Sequence, residues 1–251
     1  MRRIIVLGGL GFFGAAAVER LQMDGVASLR ASRRATADLQ VNVEEMASLR
    51  GALREGDVVI DTVGPFQDRT TALVEAALEI GFDLIDIADS LAYVTKLYEL
   101  QEQIDASGIR VLTACSSLSA VSAAMVRLSG IEDPIRVTEV LLPATRYTAN
   151  PGSGGSLLRS VGHPIRVLRE GRLVNRTGWS EARTVRLPSP IGTVRGYLCE
   201  SPDAVTLPRI WPRIGTVEFY VDTRVPGFNA VFALAARWRS IRRLVAWLQP
   251  A

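Results

Sequence analysis

The chain begins with an apolar strand that runs directly into a glycine-rich turn and then into a helix. In chain order these are Ile4–Leu7, the glycines Gly9, Gly11 and Gly14 in the spacing G-x-G-x-x-G, and Ala15–Leu21. This arrangement is far more specific than three glycines alone, because the strand and the helix mark the start of a βαβ unit. We expect Gly9 to permit the tight turn, Gly11 to let the backbone approach a ligand, and Gly14 to let the helix pack against the strand.

The N-terminus of the helix after this turn is a predicted phosphate-binding site. Its first N–H groups have no partner within the helix and the helix dipole is positive there, so both favour an anion. We expect the segment from Gly9 to Gly14, with Phe12 and Phe13 in its middle, to bind the pyrophosphate of a dinucleotide. The alternative is a glycine-rich turn of an α/β protein that binds nothing.

The end of the second predicted strand, Val26–Ser32, indicates which dinucleotide would bind. About 20 positions beyond the glycines lies the residue that meets the adenosine ribose, where a carboxylate favours NAD and an arginine favours NADP. Ser32, Arg33 and Arg34 occupy this position. We therefore expect NADP, with NAD as the alternative cofactor. The two arginines could also be ordinary surface residues, since the chain has 28 arginines and a single lysine.

Strands and helices continue to alternate through the first half of the chain. The further predicted strands are Ala37–Val43, Asp57–Val63, Phe82–Ile87 and Ile109–Ala114. The predicted helices are Glu44–Arg54, Thr70–Ile80 and Leu91–Ala106. This alternation predicts an α/β fold with a Rossmann-type, doubly wound parallel sheet that carries helices on both faces.

Ligands bind such a sheet at the carboxyl ends of its strands. Three predicted strand ends carry residues of candidate chemistry, namely Gly64-Pro65-Phe66, the segment from Asp86 to Asp89, and Cys115-Ser116-Ser117.

The pattern changes in the second half, and we predict two domains, residues 1–128 and 129–251. Asn150–Gly155 is a predicted loop, and Ser156–Val161 is predicted to begin a short helix. Short β-rich runs separated by Gly and Pro follow, among them Arg166–Arg169, Ala182–Leu187 and Thr216–Val221. They predict a second α+β domain with a mostly antiparallel sheet, suited to substrate binding or dimerisation.

Charge divides the chain in the same way. Residues 1–130 carry 12 basic and 17 acidic groups, a net charge of −5, whereas residues 131–251 carry 17 and 9, a net charge of +8. The basic half is where an anionic small-molecule substrate would be attracted. No nucleic-acid-reading motif accompanies the charge, so we do not expect a nucleic-acid partner.

The sequence also bears on location and on metal sites. Cleavage of the apolar N-terminal stretch as a signal peptide would destroy the glycine motif, so we expect a cytoplasmic protein. Cys115 and Cys199 lie far apart and His163 is the single histidine, so neither a disulfide framework nor a metal site is expected.

Apolar and basic residues alternate near the C-terminus, between Phe228 and Leu248. They predict an amphipathic helix, which can lie on an anionic membrane surface. The alternative is a face that packs on its own domain or on a partner subunit.

Several segments, taken in order, resemble the saccharopine dehydrogenase-like oxidoreductases. They are the glycine motif, Asp57–Phe66, Ile85–Asp89, Val111–Ser117, Gly154-Gly155-Ser156 and Val161–Pro164. The resemblance implies a Rossmann domain followed by an α/β domain with a mixed sheet, a nicotinamide cofactor, and a homodimer. It also implies that Gly64, Pro65, Phe66, Asp86 and Asp89 lie beside the cofactor.

The chain departs from this family in two respects. It ends where family members continue, so we expect a shortened relative. The lysine and histidine that saccharopine dehydrogenases use for acid–base work have no evident counterparts, so saccharopine is not the expected substrate. A carbonyl, imine or enoyl compound is expected instead.

Candidates for a proton donor are few. Asp89 and His163 are the first, although Asp89 or Ser90 could instead cap the next helix and His163 could be structural in its Gly-His-Pro turn. Tyr93 and Lys96 resemble a Tyr-x-x-x-Lys pair but are one residue too close.

The sequence therefore predicts an NADP-dependent oxidoreductase of the saccharopine dehydrogenase-like type. The alternative is a catalytically inactive relative that acts as an NADP-binding regulatory or interaction protein.

Overall fold

The computed structural model describes residues 2–142, 151–238 and 240. The chain divides into two compact units, Met1–Val121 and Ser122–Ala251, and the division falls within a helix. The domain boundary predicted between residues 128 and 129 stays a prediction.

The first unit is built on a six-stranded sheet in which every strand pair is parallel. Its strands are Ile4–Leu7 (β1), Leu29–Ser32 (β2), Leu39–Gln40 (β3), Val58–Asp61 (β4), Asp83–Asp86 (β5) and Val111–Leu112 (β6). Their spatial order is β3-β2-β1-β4-β5-β6, the order of a dinucleotide-binding fold. Ile5, Val6 and Leu7 are fully buried, as expected for a strand with helices on both sides.

Helices connect these strands. They are Phe12–Met23 (α1), Met46–Ala52 (α2), Ala72–Ile80 (α3), Leu91–Glu99 (α4) and Gln101–Ser107 (α5), with a short 3₁₀ helix at Phe66–Asp68. Gly81 ends α3 in the left-handed conformation, with φ +87°, which glycine adopts without steric cost. The single helix predicted over Leu91–Ala106 is wrong, because Leu100 leaves the helical conformation with ψ near 2°.

The second unit has a sheet that is antiparallel except for one pair. Ala120–Leu128 (α6) spans the division between the units. The strands are Arg136–Leu141 (β7), Pro164–Arg169 (β8), Arg172–Thr177 (β9), Ala182–Arg186 (β10), Thr193–Cys199 (β11) and Thr216–Val221 (β12). The order is β10-β11-β12-β8-β9, and β7 pairs with β12 in parallel. All six residues of β12 are buried. The predicted fold class is therefore confirmed in both of its parts.

The helices of the second unit differ most from the predictions. Those that follow β7 are Pro151–Ser160 (α7), Asp203–Ile210 (α8) and Phe228–Arg237 (α9). The predicted loop over Asn150–Gly155 is wrong from Pro151 onward, because proline at the first helical position starts α7 there. Asn150 itself lies outside the described residues.

Helix α8 was not predicted, since it is short and contains Pro208. Of the predicted helix from Phe228 to Leu248, α9 is the described part, and residues 239 and 241–248 lie outside the described residues. No helix among the described residues is both long enough and apolar enough to cross a membrane.

Candidate dinucleotide-binding site

The turn between β1 and α1 depends on a glycine that precedes the recognised motif. Gly8 has φ +75°, a backbone conformation that residues with a side chain rarely adopt. A Cβ atom at Gly8 would lie 2.7 Å from the Thr62 Oγ1 atom. Sequence reasoning assigned the tight turn to Gly9 and missed Gly8. The signal that could have found it is the double glycine directly after the strand.

The remaining glycines allow close packing around this turn. A Cβ at Gly14 would lie 2.2 Å from the Gly8 carbonyl oxygen, so only glycine lets α1 approach β1 this closely. A Cβ at Gly9 would lie 2.9 Å from the Arg30 Cβ atom on β2. The N–H of Gly11 donates to the Gly8 carbonyl oxygen at 2.7 Å. The short distance to Gly8 therefore supports the role predicted for Gly14. Gly9, which was expected to form the tight turn, instead allows close packing against β2.

The N-terminus of α1 is open. Gly11 precedes the helix without a side-chain cap, and the first turn of α1 contains no acidic residue. The first N–H groups of a helix, here beginning at Phe12, have no partner inside the helix. Phe12 and Phe13 are exposed and contact each other edge to face at 5.2 Å between ring centroids. This end of the helix can therefore receive a phosphate group.

Two exposed arginines follow the end of β2. The Ser32 Oγ atom accepts a hydrogen bond from the Arg34 N–H at 2.9 Å, and Gln40 Nε2 donates to the Arg33 carbonyl oxygen at 3.1 Å. These bonds fix the backbone of the segment. Among the described residues, neither the Arg33 nor the Arg34 guanidinium has a hydrogen bond or an ion pair.

The one carboxylate between these arginines and β3 already has a partner. Asp38 pairs with Arg30, whose Nη2 atom lies 2.9 Å from the Asp38 Oδ1 atom. Hydrogen bonds from Arg30 lower the pKa of Asp38 to about 2. Asp38 is therefore occupied by Arg30, and the adjacent arginines keep their charge available for a ligand.

The loop after β4 has an exposed backbone and a buried anchor. Gly64 and Pro65 are exposed, whereas Phe66 is buried with its ring 5.3 Å from the Tyr93 ring. The Arg69 guanidinium lies over the Phe66 ring at 5.6 Å. Of the three residues of this loop that were predicted beside the cofactor, Gly64 and Pro65 are therefore accessible, and the Phe66 side chain packs within the first unit.

Arg69 is a buried cation that sequence reasoning missed. Its Nη1 atom lies 3.0 Å from the Asp61 Oδ2 atom and donates to the Val63 carbonyl oxygen at 2.6 Å. Its Nε atom donates to Glu44. Arg69 thus holds the end of β4 and the start of the following loop in place. No local sequence pattern predicts a buried arginine of this kind, because folding brings its partners to it from other segments of the chain.

Asp86, at the end of β5, is a buried carboxyl group with a structural set of partners. Its Oδ1 atom accepts from the Ala88 N–H, the Ala114 N–H and the Thr113 hydroxyl, all within 3.0 Å. These bonds join the ends of β5 and β6. Burial raises the pKa of Asp86, although the three donors oppose the increase. Its neighbour across the sheet, in register on β4, is Asp61.

Asp89 lies further along the same segment and is half-buried. Its Oδ1 atom accepts from Gln67 Nε2 at 3.2 Å. Ser90, rather than Asp89, caps α4, since the Ser90 Oγ atom accepts from the Tyr93 N–H at 3.3 Å. Asp89 is therefore not used as a helix cap.

The other proton-donor candidates are placed differently. Tyr93 is buried, and desolvation raises the pKa of its phenol, which opposes the ionised form that a catalytic tyrosine needs. Lys96 is exposed. His163 belongs to the second unit, where its backbone bonds Ser160 and Gly178 and its side chain is exposed. The structure therefore does not bring Tyr93 and Lys96 together as an acid–base pair.

Comparison with known proteins shows the fold of the chain. No protein-family model matches the sequence. A lipid droplet localized protein of Caenorhabditis elegans is 29% identical over 137 residues, which cover 45% of this chain and 32% of the relative. Apo histidine-tagged saccharopine dehydrogenase (L-Glu forming) from Saccharomyces cerevisiae matches in structure with a TM-score of 0.62 at 17% identity. That match covers 92% of this chain and 57% of the yeast chain.

The chain thus spans about a third of the nematode relative and somewhat more than half of the yeast enzyme. It has the fold of a saccharopine dehydrogenase, and the resemblance predicted from its sequence is confirmed in the fold.

Proposed function

We propose that the protein is an NADP-dependent oxidoreductase of the saccharopine dehydrogenase-like type. One observation carries the proposal: an uncapped helix N-terminus follows a turn in which Gly8 and Gly14 leave no room for a Cβ atom. This turn lies at the carboxyl end of β1, in the middle of a sheet of order 3-2-1-4-5-6. Dinucleotides bind such sheets at that edge, with the pyrophosphate at the helix N-terminus.

The preference for NADP over NAD rests on Arg33 and Arg34. Both are exposed directly after β2, where the adenosine ribose of a bound dinucleotide would lie. A 2′-phosphate would give either guanidinium a charged partner, whereas a 2′-hydroxyl would not. Because a charge-assisted hydrogen bond contributes about 1.5–3 kcal/mol, one such contact favours NADP by roughly 10- to 100-fold.

The nicotinamide group, when bound, supplies hydride transfer. The residues of the chain would bind and orient it. Gly64 and Pro65 offer exposed backbone beside this edge of the sheet. Arg69 holds that loop in place by its hydrogen bond to the Val63 carbonyl oxygen and by its contact with the Phe66 ring. Asp89 is the candidate to carry a proton, since it is half-buried and keeps one carboxylate oxygen free of hydrogen bonds among the described residues.

The substrate class follows from the acid–base groups and from the relative. Carbonyl, imine and enoyl compounds accept a hydride, and an enoyl compound makes the smallest demand on protein acid–base groups. The name of the Caenorhabditis elegans relative places that protein on lipid droplets, and this supports the proposal of an apolar substrate for this chain.

Nucleotide binding is the first test. We expect titration of the purified protein, followed by nucleotide fluorescence, to show tighter binding of NADPH than of NADH. Arg33→Asp should weaken NADPH binding by roughly 10- to 100-fold, whereas NADH binding should stay the same or become tighter because a carboxylate can accept a hydrogen bond from the 2′-hydroxyl. Arg54→Asp is the matched control, because Arg54 is an exposed arginine of the same unit that is remote from the glycine turn in sequence.

Two results would count against the proposal. Binding of neither nucleotide removes the oxidoreductase assignment altogether. Equal binding of both, unaffected by Arg33→Asp, removes the NADP preference and leaves a general nicotinamide site.

A nucleotide-binding protein without turnover is the second candidate. The observation that favours it is the burial of Tyr93, which prevents Tyr93 and Lys96 from acting as a catalytic tyrosine–lysine pair. Consumption of NADPH with a panel of aldehydes, imines and enoyl compounds separates the two candidates, since both predict binding and only the enzyme predicts turnover.

A further inference from the structure

Helix α9 packs part of its surface on its own unit, and another part is exposed among the described residues. Phe232, Ala235 and Ala236 are buried, and the Phe232 ring contacts the Trp179 ring edge to face at 5.0 Å. Five large apolar side chains on α9 or next to its two ends are each 40–56% exposed. These residues, which we call the α9 stripe, are Val225, Phe228, Val231, Leu234 and Trp238.

Positive charge lies at both ends of this stripe. Arg224 and Arg237 are exposed at its two ends. In the sequence, the stretch from Thr223 to Ala251 contains five arginines and no acidic residue. An apolar helix face bordered by arginine is typical of helices that lie at the surface of anionic membranes.

A cleft suited to a phosphate group adjoins the beginning of α9. It has a volume of about 460 Å³, and its polar and charged lining residues are Arg195, Tyr197, Asp222, Arg224 and Asn229. Asp222 is the one acid among them. Its Oδ1 atom already accepts from the Arg224 N–H at 3.0 Å and from Asn229 Nδ2 at 2.7 Å.

The cleft is therefore lined by two cationic side chains, Arg195 and Arg224, against the single carboxylate of Asp222. The Arg195 guanidinium lies 6.0 Å from the centre of the Tyr197 ring, which holds it at this surface. The N-terminus of α9 has no side-chain cap and no acidic residue in its first turn.

A second exposed apolar segment shows that exposure alone does not single out α9. Met125 and Leu128 on α6 are exposed, as is Ile131 after it. The acids Glu132 and Asp133 follow them, and Arg127 is engaged over the Trp211 ring at 5.4 Å. This segment has apolar area without an excess of positive charge, so it offers an internal control.

We propose that the α9 stripe docks on an anionic phospholipid surface, with a lipid phosphate held by Arg195 and Arg224 and the apolar side chains inserted at the acyl boundary. The charge distribution favours this occupant over a second copy of the chain. A symmetric dimer through the same face would bring the arginine-bearing ends of the two copies together, which is repulsive.

The test is co-flotation of the full chain with phosphatidylcholine vesicles, with and without phosphatidylserine. We expect binding to the vesicles that contain phosphatidylserine and weaker binding as salt is added. Val231→Ser with Leu234→Ser should reduce binding about tenfold or more, because two apolar side chains lose their transfer into the lipid. Met125→Ser with Leu128→Ser is the matched control and should bind as the unchanged protein does.

A third variant tests the contribution of Arg195 and Arg224 to the preference for an anionic headgroup. Arg195→Gln with Arg224→Gln should remove most of the preference for phosphatidylserine while leaving the apolar stripe intact. Circular dichroism of every variant confirms that each is folded, and this control does not depend on the proposed nucleotide site.

Three results would overturn the inference. The unchanged protein could fail to float with anionic vesicles, or the α6 variant could lose as much binding as the α9 variant. Sedimentation could also show that the α9 substitutions abolish self-association without changing vesicle binding, which would assign the stripe to a second copy of the chain.

Discussion

The first unit buries Asp61 and Asp86 beside a guanidinium, whereas the second unit buries Glu139 beside Asp203 without an ion pair to any described arginine or lysine. Asp203 is fully buried and accepts hydrogen bonds from the hydroxyl groups of Ser122 and Ser201. Both Glu139 oxygens are buried and receive no hydrogen bond within the described part of the chain.

The difference decides which carboxyl groups carry a charge. Burial raises the pKa of Asp61, but the Arg69 charge opposes it and the pKa reaches about 6, so Asp61 is ionised at neutral pH. Burial and the neighbouring Asp203 carboxyl raise the pKa of Glu139 to about 9, so Glu139 keeps its proton. The first unit thus stabilises the ionised form of Asp61, and the second stabilises the protonated form of Glu139.

Removal of Arg69 should have the largest effect on stability. Without Arg69, the carboxyl groups of Asp61 and Asp86 would lack a cation, as Glu139 and Asp203 do among the described residues. Arg69→Met leaves two buried carboxyl groups without a cation and frees the loop after β4. We expect the free energy of unfolding at neutral pH to fall by about 3–5 kcal/mol, as for other broken buried ion pairs. Denaturant titration followed by circular dichroism measures this change.

The control is Arg50→Met, which removes an exposed partner of Glu79 in the same unit. We expect no measurable change in Tm, because solvent-exposed ion pairs contribute little. Equal effects of Arg50→Met and Arg69→Met would show that burial of Arg69 has no special importance.

Glu139→Gln is expected to have the next largest effect on the free energy of unfolding. Unlike Arg69→Met, it should stabilise the protein. The pKa of Glu139 is about 9 in the folded chain against an ordinary value of 4.5, so folding takes up a proton between these values. Stability of the unchanged protein is therefore lost as pH rises through this window, by about 1.4 kcal/mol for each pH unit. The Gln variant does not titrate, and we expect it to be the more stable form at about pH 8 by a few kcal/mol.

The measurement for this second prediction is the difference in unfolding free energy between the two proteins across the window. A difference that stays constant with pH would contradict a protonated Glu139. Glu132→Gln is the control, since Glu132 is exposed in the same unit.

Asp61→Asn should produce the smallest change with pH, because the Asp61 window is narrower. The pKa of Asp61 rises from 3.8 to about 6 on folding. The unchanged protein therefore loses stability relative to the variant as the pH rises between these two values, and the difference is constant above about pH 6. We expect a change of about 3 kcal/mol in the difference between the two proteins. Denaturant titrations at pH values below, within and above the window check this. A change that continues to pH 8 would assign the titration to another group.

Much of the first unit could be predicted from the sequence. The β1–α1 turn, the alternation of strands and helices and the stop at Gly81 each depend on residues close in the chain, and all three are present in the structure. The antiparallel character of the second sheet was also predictable from its short β-rich runs. Helix α8 was not, because its packing rather than its intrinsic preference makes it a helix.

The candidate site was predictable only in part. The glycines and the two arginines after β2 were proposed as site residues from spacing alone, and the structure places them near the carboxyl ends of β1 and β2. The burial of Phe66 and Tyr93, the role of Ser90 as the α4 cap, and Arg69 with its partners depend on contacts between distant segments. Spacing therefore located the edge of the sheet, and only the fold showed which side chains reach it.

The sequence by itself determined the nucleotide-binding topology, because glycine sterics and the spacing of apolar residues act over a few positions. Gly14, for instance, is required by its distance to the Gly8 carbonyl oxygen, six residues away. The tertiary structure alone decided which carboxyl groups are charged and which part of α9 is exposed. Charge and exposure depend on desolvation and on neighbours that only folding brings together, such as Arg69 for Asp61 and Asp203 for Glu139.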